Sequence, residues 1–329
     1  MRPSSDRAWI EQVIAHRDPG AVPYNFMFSP PAYRLAAERY GRDLEDALGL
    51  PIRMGAPAGR KPFYASPSIY GATITDDYGV VWSTSDLDRG SPIGPVLTEP
   101  TLDGYTFPDP AEPSRFAGLA ERCRAQAGHF RFIWTGDLWE RATFMRGMEG
   151  LLLDVALHRD FVRALLERLT DAICRTTDIL LATCAFEGVA LSDDYGTQRA
   201  MVISPADWRD LVRPCLARIY SQAKRAGKTV FHHSCGNIVP IIPDLIDLGL
   251  DILHPIQPEA MDVYALKREF GRDLTLCGGV STQDLLLTAS PAQVRGEVRR
   301  LKETLGRGGG YILEPGITLL PDVPAANLF

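Results

Sequence analysis

Apolar and polar positions along this chain follow two periods, and the switches between them mark its elements. Ser204-Pro205-Ala206-Asp207 offers a helix N-cap with proline at the first helical position. Trp208, Leu211, Val212, Cys215, Leu216, Ile219, Tyr220 and Ala223 then recur at helical spacing. Lys224 and Arg225 fill the last turn, Gly227 ends it, and Pro214 predicts a kink midway. Downstream, β-type runs at 229–232, 250–253, 274–277 and 311–313 alternate with helical patterns at 240–247, 262–270 and 290–305. Upstream, a helix near 160–181 leads into a strand at 186–191.

Strands alternating with helices across short loops imply βαβ units and a parallel sheet. Five such units in one half of the chain predict a (β/α)8 TIM barrel. A doubly wound sheet is the competing arrangement, but no Gly-x-Gly-x-x-Gly follows any strand. The first half is less regular. Residues 22–28 read as a strand and 31–40 as a helix. The segment around 71–110 reads as β-hairpins and loop, an irregular insertion over one mouth of the barrel. We expect residues 1–329 to form one barrel domain with that insertion in its N-terminal half.

Composition narrows the function classes. Asp and Glu number 41 against 35 Lys and Arg, and no basic run occurs, so a constitutive nucleic-acid binder is excluded. The longest apolar stretch, 179–191, is interrupted by Glu187 and is shorter than a membrane span requires. Residues 1–6 lack the apolar core of a signal peptide, and six scattered cysteines do not look like a disulfide framework. A reduced, cytoplasmic protein is the expectation.

In a barrel of this kind, functional residues collect at the C-terminal ends of the strands. There the chain offers Ser192 to Gln198, then His232-His233-Ser234-Cys235-Gly236-Asn237, His254-Pro255, Cys277-Gly278-Gly279 and Glu314-Pro315-Gly316. His233 and Cys235 lie two apart, on one side of an extended segment. Imidazole nitrogen with thiolate sulfur suits zinc, although a packed thiol and a satisfied imidazole would leave the same pattern. Asp193 and Asp194 point opposite ways, so one faces the pocket as proton acceptor or anchor while the other caps a loop; both as caps is the plainer alternative. His254 is expected at the rim, touching substrate or supporting a residue that does. Cys277 either leans toward Cys235 as a ligand or fills space in the core, and we lean to the core. Asp76-Asp77-Tyr78-Gly79 reads as a turn, and Gly278-Gly279 and Gly308-Gly309-Gly310 as tight turns rather than anion cradles.

The order of these motifs resembles the uroporphyrinogen decarboxylase superfamily. The resemblance rests on Ser192-Asp193-Asp194-Tyr195-Gly196-Thr197-Gln198, His233-Ser234-Cys235-Gly236, Gly278-Gly279-Val280-Ser281-Thr282-Gln283, Arg146 to Leu152 and Pro321 to Asn327. It implies a (β/α)8 barrel and one of two chemistries. True uroporphyrinogen decarboxylases carry arginines for substrate carboxylates in an N-terminal segment. Here that place reads Tyr24-Asn25-Phe26-Met27-Phe28-Ser29, without arginine, which argues against a polycarboxylate tetrapyrrole.

The other branch comprises zinc-dependent methyltransferases that work with a corrinoid, and its His-x-Cys motif matches His233 and Cys235. That branch's further cysteine is replaced by Ile317, leaving Cys277 or Glu314 as substitutes, or no third ligand. The resemblance therefore implies a zinc methyltransferase. Asp193, Asp194 and His254 would be catalytic, Asn25, Tyr195 and Gln198 would bind substrate, and His233, Cys235, Cys277 and Glu314 would hold the metal. The methyl group would pass between a small molecule and methylcobalamin or another corrinoid on a partner protein. A metal-free decarboxylase of a small carboxylic acid is the alternative, and a catalytically silent barrel a third. The oligomeric state stays open, a homodimer included.

Overall fold

Short runs rich in β-branched and aromatic residues become the strands, and capped amphipathic runs become the helices around them. The structure, a computed structural model, describes residues 5–328. Residues 1–4, on which the leaderless reading partly falls, and residue 329 lie outside the described residues. The strands are β1 (Ile52–Gly55), β2 (Thr73–Thr75), β3 (Val81–Ser83), β4 (Pro92–Gly94) and β5 (Phe130–Gly136). They continue with β6 (Gly188–Ser192), β7 (Thr229–His233), β8 (Ile252–Ile256), β9 (Thr275–Val280) and β10 (Tyr311–Pro315). Seven of them form one parallel sheet in the order β1-β5-β6-β7-β8-β9-β10. This is an α/β fold on a curled, TIM-barrel-like sheet.

The ladder holds seven strands where eight are expected. The eighth place is taken by the extended segment 23–28, which meets β10 at an isolated Tyr24–Leu313 bridge and the loop beyond β10 at a Phe28–Leu319 bridge. Asn25 N–H donates to Leu313 O at 3.0 Å and Ser29 N–H to Leu319 O at 2.9 Å. Between these contacts stands Pro315, which has no N–H to give, so the ladder breaks there.

Alternation divides the buried side chains between the two faces of the sheet. Ile52, Phe130, Phe132, Ala190, Phe231, Ile252, Cys277 and Ile312 form one cluster with Trp9, Ile10 and Val13 of the Asp6–Ile14 helix. Each of its large apolar side chains contributes roughly 1.5–3 kcal/mol by burial. Outward residues such as Val189, Val230, Leu253 and Leu276 join the helices in the larger cluster. On that outer side the Arg131 guanidinium and the Glu187 carboxylate, both buried, pair through contacts of 2.9 and 2.7 Å.

Several local expectations change in detail. The helix read through Pro214 is two helices, Pro205–Leu211 and Arg213–Arg225, because proline starts a new helix more readily than it bends an old one. Ser204 and Ser290 cap as expected, the latter in a reciprocal pair with Gln293. Residues 73–94 form a three-stranded antiparallel sheet. Its turn is pinned by Asp76, which accepts hydrogen bonds from Tyr78 N, Val80 N, Trp82 Nε1 and Arg141 Nη1. Gly278 lies within β9, not in a turn. Its φ is +127°, and a Cβ there would meet the Ile256 backbone nitrogen at 2.8 Å. Among the described residues no helix is long and apolar enough to cross a membrane.

Candidate metal centre at the strand ends

Five neighbouring strand ends, β6 to β10, carry the reactive side chains, and the backbone ladder sets their spacing. Asp193 N–H donates to His233 O at 2.8 Å, and Ser234 N–H to His254 O at 2.7 Å, so the pairing runs one residue past β6 and β7. The loop after β7 packs flat on the loop after β6. Gly236, at φ +82°, permits this, because a Cβ would strike the Gly196 carbonyl carbon at 2.3 Å. Gln257 Oε1 accepts from Gly236 N–H at 2.6 Å and holds the loop from the other side.

The two adjacent aspartates part as alternation requires. Asp193, fully buried, accepts from Leu138 N at 2.8 Å, Glu140 N at 3.0 Å and the Tyr195 hydroxyl at 3.0 Å. It therefore anchors the start of the Trp139–Arg146 helix and faces no pocket. Tyr195 is likewise fully enclosed, between Trp208 and His232. Its expected place in a substrate pocket is corrected by that enclosure. Asp194 turns the other way: its Oδ1 accepts from Cys235 N–H at 2.8 Å and stands 3.5 Å from His233 Nε2. Gln198 is exposed and bonded to Gln283 on a facing loop.

The four residues read as one metal set divide into two groups. Asp194, His233 and Cys235 bring donor atoms within 4.8 Å of one another, and His254, Cys277 and Glu314 do the same. Cys235 Sγ lies 3.4 Å from His233 Nε2. Cys277 points into the sheet's concave side and donates to Glu314 Oε2 at 3.1 Å, so it does not join Cys235. His254 Nε2 stands 3.6 Å from the same carboxylate oxygen. Asn25 Nδ2 donates to Glu314 Oε1 at 3.0 Å and also lines a cleft of about 570 Å³ that runs beside β1. One contact joins the two groups: His233 Nδ1 and His254 Nδ1 are 2.9 Å apart.

The electrostatics follow from burial. Burial pushes the Cys235 thiol up, and Asp194 and Glu140 push it further. Burial lowers His233, against Asp194, which raises it. The Glu314 carboxyl is pushed up to about 7 by burial. Sequence reasoning missed Glu140 and Arg89. Glu140 is buried, accepts from Ser192 Oγ at 2.9 Å and Arg89 Nη2 at 3.0 Å, and is pushed up to about 7 by burial and then Asp194. An acid directly after Trp139, at the start of a helix, was a usable signal for it. Arg89 sits in an irregular loop and carried none.

A curled parallel sheet with acids, imidazoles and thiols gathered at its strand ends defines an α/β-barrel class with a polar, metal-competent mouth. Residues 135–329 match the uroporphyrinogen decarboxylase (URO-D) family, and the chain belongs to it. It is 23% identical over 250 residues to a uroporphyrinogen decarboxylase of Psychromonas ingrahamii, across 71% of this chain and 67% of that one. With a uroporphyrinogen decarboxylase of Thermus thermophilus it shares 27% identity over 168 residues, 50% of this chain and 45% of the relative. A methyltransferase from Methanosarcina mazei superposes with a TM-score of 0.73 at 16% identity, covering 98% of this chain and 96% of that one. That likeness establishes the fold.

Proposed function

We propose that this chain is a zinc-dependent methyltransferase, moving a methyl group between a small molecule and a corrinoid carried by a partner protein. The observation that carries the reading is the meeting of nitrogen, sulfur and oxygen donors from His233, Cys235 and Asp194. Bonds of ~2.0–2.3 Å arranged tetrahedrally place donor atoms about 3.3–3.8 Å apart. The separations here, 3.4 Å from Sγ to Nε2 and 3.5 Å from Nε2 to Oδ1, fall in that range. Three protein donors leave a fourth position for substrate. That the structural neighbour from Methanosarcina mazei is a methyltransferase supports methyl transfer.

Zinc, when bound, supplies Lewis acidity, holding a thiol acceptor as thiolate or polarising the oxygen of a methyl donor. The chain's own residues do the rest. Asp194 ties the Cys235 backbone in place, and Gln257 ties Gly236, which together aim the thiol. Arg89 and Ser192 hold the Glu140 carboxyl beside the mouth, where it keeps or releases a proton at Oε1 or Oε2 near neutral pH. The absence of arginine from 24–29 fits a small substrate better than a tetrapyrrole with many carboxylates.

Zinc titration of the metal-free chain and of Cys235→Ala tests the reading. A large loss of affinity in the variant is expected, and equal affinity in both would refute it. Exhaustive chelation separates the chemistries: methyl transfer is lost, whereas turnover of a small carboxylic acid that persists would establish the decarboxylase alternative.

A further inference from the structure

The His254, Cys277 and Glu314 group is built like a seat for an ion, yet the proposed function leaves it unused. Its donors come from three adjacent strands, β8, β9 and β10, and expose 1%, 0% and 3% of their surface. Glu314 is locked from both sides, by Asn25 at Oε1 and by Cys277 at Oε2. His254 Nε2 is buried, has no hydrogen-bond partner, and lies 3.6 Å from Glu314 Oε2. A buried, unpaired ring nitrogen aimed at a thiol and a carboxyl is costly unless something accepts its lone pair. A divalent ion held by neutral imidazole, thiolate and carboxylate carries no net charge, which suits an apolar interior.

The two groups are not independent, because His233 and His254 share a proton. In a 2.9 Å Nδ1···Nδ1 contact one ring donates and the other accepts. The donor, protonated at Nδ1, has a bare Nε2. The acceptor, if neutral, carries its own proton on Nε2 and is unable to bind a metal through it. Only one of the two Nε2 atoms is therefore a ligand at a time. We infer that the chain has two alternative seats for one borderline-soft divalent ion, an outer one at Asp194, His233 and Cys235 and an inner one at His254, Cys277 and Glu314, and that the shared proton forbids filling both. Occupying the inner seat puts the shared proton on His254 Nδ1; the proton that His254 carried on Nε2 as acceptor and the Cys277 thiol proton leave to solvent, and His233 takes one proton from solvent on its own Nε2.

The inference rests on the proposed metal site, and the test separates the two. The full-length metal-free chain is titrated with Co²⁺, reading stoichiometry together with the sulfur-to-cobalt charge-transfer band. One equivalent is expected for the unmodified chain. Cys235→Ser, close to isosteric, is expected to keep one equivalent, held far more weakly than in the unmodified chain, with a sulfur band now from Cys277. Cys235→Ser with Cys277→Ser is expected to lose the band altogether. Loss of the band in Cys235→Ser alone, with near-ultraviolet circular dichroism unchanged, overturns the inner seat and leaves the outer one standing. Two equivalents in the unmodified chain overturn the exclusion, a result that needs no variant. No binding at all removes both the inference and the metal site it rests on.

Discussion

Replacing Asp193 separates an architectural carboxylate from a chemical one. Its side chain accepts three hydrogen bonds, from Leu138 N, Glu140 N and the Tyr195 hydroxyl, all in a fully buried setting. Asp193→Ala leaves those three donors unpaired. At about 1–3 kcal/mol for each stranded group, less whatever water and loop relaxation recover, we expect a cost of about 3–5 kcal/mol. Asp193→Asn behaves differently. Its amide oxygen keeps the two backbone donors, and its amide nitrogen meets a phenol oxygen that can turn to accept. About 1 kcal/mol is the expected cost. Urea unfolding followed by tryptophan fluorescence measures both, as a shift in midpoint at constant slope. An alanine variant within 1 kcal/mol of the parent, or an asparagine variant as damaged as the alanine, would refute the reasoning.

Other consequences are equally direct. Glu140 is pushed up from 4.5 to about 7, so the folded state binds its proton more tightly than the unfolded chain does. Stability from this group is therefore full below about pH 4.5 and declines as pH rises toward 7, by about 1–3 kcal/mol, and Glu140→Gln should flatten that slope in pH-dependent urea titrations. Glu187→Ala strands the buried Arg131 guanidinium and should cost about 3–5 kcal/mol of unfolding free energy by the same method. Gly278→Ala forces a Cβ to 2.8 Å from the Ile256 nitrogen at positive φ; we expect a loss of more than 2 kcal/mol, measured as a lowered urea midpoint.

The sequence by itself determined the parts and their order. Helix caps, apolar periodicity and short polar strand ends are local signals, so the units from β6 to β10 and the placing of His233, Cys235, His254, Cys277 and Glu314 after or within strands were legible without coordinates. The opposite facing of Asp193 and Asp194 was legible too, because alternation along an extended chain is a property of the backbone. Which aspartate faced which way was decided only by the Trp139–Arg146 helix, whose N-terminal amides wait 53–55 residues earlier in the chain for Asp193 to accept them. The division of the metal candidates into two groups was likewise tertiary. It depends on whether a strand-end side chain turns into the concave side of the sheet, as Cys277 does, or lies on the loop above it, as Cys235 does. The break between segment 23–28 and β10 and the arrival of Arg89 beside Glu140 have the same origin. Both depend on how an irregular stretch meets a regular one, and irregular stretches repeat no period from which their partners can be read.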